Sequence, residues 1–65
     1  MTNNETVAID KVKLDYANEA IGYISGELQQ LLQAIRNGDL KFSRRLISAI
    51  KTNADFVELQ LGGQE

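Results

Sequence analysis

The stretch Gln33-Ala34-Ile35-Arg36-Asn37-Gly38-Asp39-Leu40-Lys41-Phe42 holds a helix stop and a helix start with almost nothing between them. Glycine accepts the left-handed backbone conformation that closes a helix at its C′ position, which a residue with a Cβ resists, so Asn37-Gly38 predicts a helix end. Asp39 follows at once, and its carboxylate can accept hydrogen bonds from the free N–H groups that open the next helix.

Upstream of this punctuation, Val7, Leu14, Ala17, Ile21, Ile24, Leu28, Leu31 and Ile35 recur at steps that settle into three and four. That is the a/d pattern of a helix packed along a seam. Asp10 is the polar exception on the d column. Downstream, Leu40, Ser43, Ile47, Ile50, Ala54, Val57 and Leu61 repeat the same steps until Gly62-Gly63 closes the pattern. The reading is all-α: one domain over residues 1–65, with helix 1 from about 6 to 36, helix 2 from about 40 to 61, and flexible ends at 1–5 and 62–65. So short a link leaves two seamed helices antiparallel, as a hairpin. At about 1.5 Å per residue helix 1 would outreach helix 2 by roughly 15 Å. Gly22 and Gly26 fall inside helix 1 without shifting the heptad phase, so a continuous helix is expected through them, each glycine costing about 1 kcal/mol relative to alanine.

A chain of 65 residues buries a small share of its surface, and its core supplies only a few kcal/mol. The usual supplements are disulfides, metals or association. With no cysteine and no histidine, disulfides are impossible and a thiolate or imidazole zinc site is too. No metal or cofactor is expected, and self-association into a helical bundle, most simply a dimer, is what remains. No stretch has the basic and apolar regions of a leader or the apolar length of a membrane span, so a cytoplasmic protein is the expectation.

The seam is only part of the apolar surface. A second stripe follows the c column, with Ile9, Tyr16 and Tyr23 on helix 1 and Phe42, Ala49 and Phe56 on helix 2. Ala20, Ala34 and Leu46 on the g column join it to the d column, giving an arc wider than one facing helix covers. Tyr16, Ala20, Tyr23, Phe42, Leu46 and Phe56 are therefore the candidate partner or oligomer interface. Three uses are open: contact between copies, docking of a different protein, or a ligand pocket lined by Tyr16 and Tyr23.

Charge is divided unevenly. Arg36, Lys41, Arg44, Arg45 and Lys51 gather five of the seven basic residues near the turn, while the opposite end carries Asp10, Asp15, Glu19, Asp55 and Glu58. These bases are a solvated face, or steer a head-to-tail association, or form an anion site for phosphate. Asp39 at the same helix start argues against a bare phosphate there. The net charge of −2 gives no global attraction to nucleic acid.

Nothing in the chain supplies acid–base or nucleophilic machinery, a phosphate loop or a serine elbow, so no catalytic residue is expected. Asp15 and Glu19 are four apart, but no Glu-x-x-His faces them to complete a metal cage. The expected function is that of a non-enzymatic interaction protein, an adaptor, regulator or inhibitor working through its apolar and aromatic helical face. The alternative is a binder of structured RNA or a nucleotide through the basic face near the turn.

Overall fold

The computed structural model describes residues 11–62 as two α-helices, α1 over Lys11–Arg36 and α2 over Leu40–Gln60, packed against each other as a hairpin. The expected start of helix 1 near residue 6, Asp10, Ile9 and the tail 63–65 lie outside the described residues. Among the described residues no helix is long and apolar enough to cross a membrane.

Backbone hydrogen bonds build the turn as its residues foretell. Gly38 takes φ of 75°, its N–H donates to the Ile35 carbonyl at 3.0 Å, and the Asp39 N–H reaches the Ala34 carbonyl at 2.9 Å. Those two bonds are the Schellman closure, which satisfies carbonyls that the end of a helix otherwise leaves open. Asp39 also starts α2. Its carboxylate accepts the Phe42 N–H at 3.1 Å, and its carbonyl accepts the Ser43 N–H at 3.0 Å and the Ser43 hydroxyl at 2.7 Å. At the far end the Leu61 N–H bonds the Val57 carbonyl at 3.1 Å, and Gly62, at φ 74°, takes the left-handed conformation. α1 runs unbroken through Gly22 and Gly26. It has 26 residues against 21 in α2, an overhang of about 8 Å among the described residues.

The seam is rotated from the one the heptads predict. Apart from Ala49, half-buried on the c column of α2, the buried or half-buried positions are Ala17, Ala20, Ile24, Glu27, Leu31 and Ala34 in α1, against Ser43, Leu46, Ile50, Asn53, Val57 and Gln60 in α2. These are the d and g columns, not a and d. The a column lies outside, with Leu28 51% and Ile35 55% exposed. The link explains the rotation. With only Asn37, Gly38 and Asp39 between the helices, their axes start close together, and the small Ala34 and Ser43 can meet there where Ile35 and Leu40 would hold them apart. The buried Ser43 hydroxyl costs little because it is bonded to the Asp39 carbonyl.

At 100° per residue the a column stands about 90° from the centre of this seam on one side, and the c column about 70° on the other. Two antiparallel helices related by a perpendicular axis keep like columns on the same side. The hairpin therefore has an aliphatic face, formed by the a columns of both helices, and an aromatic face behind it, formed by the c columns. Among the described residues no large side chain is fully buried.

Candidate functional site

On the aromatic face Tyr16 and Tyr23, seven residues apart, stack two turns of α1 on one flank, and Phe56 of α2 faces them. Between them lies a groove of about 230 Å³ lined by Tyr16, Glu19, Ala20, Tyr23, Asn53 and Phe56, at the end of the hairpin away from the turn. Tyr23 is 61% exposed and Phe56 42%, so the rings form open walls rather than a closed pocket. Asn53 is held in place across the seam: its side-chain amide donates to both carboxylate oxygens of Glu27, at 3.1 and 3.2 Å. With that nitrogen committed, what Asn53 can offer a bound group is its carbonyl oxygen, an acceptor. Glu19 adds a carboxylate to the lining. The groove thus combines aromatic surface with acceptors, and its chemistry suits an apolar or aromatic group carrying a donor or a positive charge.

The residues expected on the interface divide three ways. Tyr16, Ala20, Tyr23 and Phe56 come together at the groove. Ala20, 4% exposed, forms part of its floor and belongs mainly to the seam, and Leu46, 6% exposed, lies in the seam between the two helices of one chain. That is the correction the rotated seam imposes: the g column is consumed within the hairpin and offers a partner little surface. Phe42 stands apart near the turn, fourteen residues from Phe56, or about 21 Å along α2. A heptad reading sorts Asn53 as polar surface and Glu19 as part of the acidic end, so neither was expected at the groove. Once d and g form the seam, Asn53 and Glu27 fall on facing g columns, and polar residues at seam positions are the signal that finds them.

The basic residues are all exposed. Arg44 and Lys51 line a shallow depression of about 370 Å³ on α2 together with Ile47 and Ser48. Arg36, Lys41 and Arg45 are not part of that lining, and Arg45 sits on the f column, toward the aromatic face. The start of α2 is already occupied by the Asp39 carboxylate, which accepts the Phe42 N–H an anion would need. Among the described residues no group of three or more carboxylates is arranged to hold a metal ion.

No family model, no curated protein and no solved structure matches the chain.

Proposed function

We propose that the chain is a small non-enzymatic interaction protein, an adaptor, regulator or inhibitor, that self-associates into a helical bundle and engages a different macromolecule through its aromatic face. The observation that carries this reading is the open groove between Tyr16, Tyr23 and Phe56, on a face the seam does not cover. Aromatic side chains dominate the energetics of protein interfaces because they bury much surface for few rotatable bonds. A partner side chain that fills the groove and brings a donor to Glu19 and the Asn53 carbonyl leaves no polar group stranded.

The test uses the partner recovered from the native host and measures its affinity by calorimetry. Tyr23→Ala is expected to weaken binding by roughly 30-fold, the equivalent of about 2 kcal/mol, with little dependence on salt. Arg44→Glu combined with Arg45→Glu is expected to slow association more than it weakens the complex.

One observation favours a second reading. The depression between Arg44 and Lys51, with the Ser48 hydroxyl in its lining, presents two cations and a donor one to two turns apart, suited to a phosphate-rich ligand such as structured RNA or a nucleotide. Under that reading affinity falls steeply as salt rises, and the arginine reversals abolish binding while Tyr23→Ala leaves it intact.

A further inference from the structure

We propose that a second copy of this chain covers the aliphatic face, packed antiparallel so that the turn of one hairpin lies over the open end of the other. This deepens the self-association part of the reading above and rests on it, while naming the face and the direction.

The face has the size an interface needs. The seam leaves Ile21, Leu28, Ile35 and Ile47 exposed on it. Two helix diameters by the length of α2 give a projected area on the order of 600 Å², close to the roughly 800 Å² of accessible surface that each partner of a standard complex buries.

The spacing of the a columns also fits a twofold axis. In α1 an antiparallel copy sets Leu14 opposite Ile35 and Ile21 opposite Leu28, with the midpoint between Ile24 and Ser25. In α2 the same operation sets Leu40 opposite Leu61 and Ile47 opposite Ala54, with the midpoint between Ile50 and Lys51. The two midpoints lie nearly equal distances along the chain from Gly38, so they stand at the same height in the hairpin and one axis passes through both. Such a contact is isologous and closes as a dimer.

Charge decides the direction. The flanks of this face carry Arg36, Lys41 and Arg44 toward the turn, Lys51 near the middle, and Asp15, Asp55 and Glu58 against Lys11 toward the open end, so the two ends differ in net sign. In the antiparallel register Arg36 of one copy falls beside Asp15 of the other, and Arg44 beside Glu58. Turning the second hairpin end for end would bring the basic clusters of both copies together and the acidic clusters together. Exposed pairs contribute little each, so they select the orientation while the aliphatic columns supply the affinity.

Sedimentation of the full chain, alone, is expected to give a dimer at micromolar concentration. Leu28→Asp should weaken it at least about 100-fold with helicity kept, because a carboxylate would be sealed in an apolar contact. Tyr23→Ala should leave it unchanged. Asn37→Cys carrying a spin label should report a separation of roughly 40 Å between the two turns. Arg44→Glu should loosen the dimer several-fold, and adding Glu58→Arg should restore it. If Leu28→Asp loses its helices, the label distance and the charge swap still decide, since neither disturbs the seam. A dimer with the labels within about 20 Å would keep self-association but overturn this geometry. A dimer dissociated by Tyr23→Ala and not by Leu28→Asp would place the contact on the aromatic face. A monomer throughout would defeat both.

Discussion

The side-chain amide of Asn53 donates to both carboxylate oxygens of Glu27 across the hairpin seam, joining residues 26 positions apart in the chain. Neighbours along the seam are mostly aliphatic, and aliphatic contacts tolerate sliding. A polar pair resists it, because a one-heptad slip that sets Glu27 against Leu46 leaves a half-buried carboxylate facing a hydrocarbon side chain.

Removing one member of that pair is therefore expected to cost more than removing both. Asn53→Leu should destabilise the protein by about 1–3 kcal/mol, since it strands Glu27, while Asn53→Leu with Glu27→Leu should be nearly neutral or stabilising. Urea denaturation of the two single variants and the double variant, treated as a cycle, measures the coupling. Additive losses would mean that the bond carries no interaction energy.

Seam and face should respond oppositely to the same substitution. Ile24→Asp and Ile50→Asp introduce an unpaired carboxylate between the helices, at a cost comparable with the whole stability of so small a domain, and circular dichroism should show loss of helix. Leu28→Asp, on the exposed a column, should keep the helical signal. Lys51→Ala, exposed on α2, should melt like the wild type.

Gly22 and Gly26 give a cleaner case, because a Cβ built at either position meets no atom within 4 Å. Nothing within the hairpin offsets their poor helix propensity, so Gly22→Ala and Gly26→Ala should each stabilise by up to about 1 kcal/mol. For a domain of this size that corresponds to a rise in Tm of about 4–8 °C, readable in a thermal scan. Gly38→Ala should do the reverse, costing about 1–2 kcal/mol, because its φ of 75° is strained for any residue with a Cβ despite the open space around it.

Asp39→Ala is expected to lose about 1 kcal/mol by removing the bond to the Phe42 N–H, and Asp39→Asn should retain most of it. Guanidinium melts of the two variants, compared at equal m-value, separate the cap from any change in the unfolded chain. Equal losses in both would assign the effect to the carboxylate charge rather than to the cap.

Both helices, the turn at Asn37-Gly38, the capping role of Asp39 and the close at Gly62 were legible in the sequence, because each is written in residues adjacent along the chain. The seam was not. Columns a, c, d and g all carry apolar residues, and the periodicity of Leu14, Ile21, Leu28 and Ile35 reports a helix without saying which pair of columns meets the partner helix. That choice depends on how closely the short link draws the axes together, and so on Ala34 lying near Ser43. The candidate site followed the seam: Tyr16, Tyr23 and Phe56 were found from their shared column, whereas Asn53 became visible only once the rotation was known, and Glu19, read as acidic surface, only once the groove was seen.

Because Asp39 closes one helix and opens the other, the seam has a natural point of nucleation. Contacts between α1 and α2 that are nearest in space at the turn are also nearest along the chain, so the hairpin can zip outward from Gly38 with little loop entropy to overcome at each step. The last rungs to close, and the first to fray, are those around Ala17 and Gln60, and the groove of Tyr16 and Phe56 sits among them. A partner seated there would clamp the described rungs farthest from the turn. Its binding energy is then shared between contact and ordering, and amide exchange at the open end slows on binding while exchange beside the turn scarcely changes.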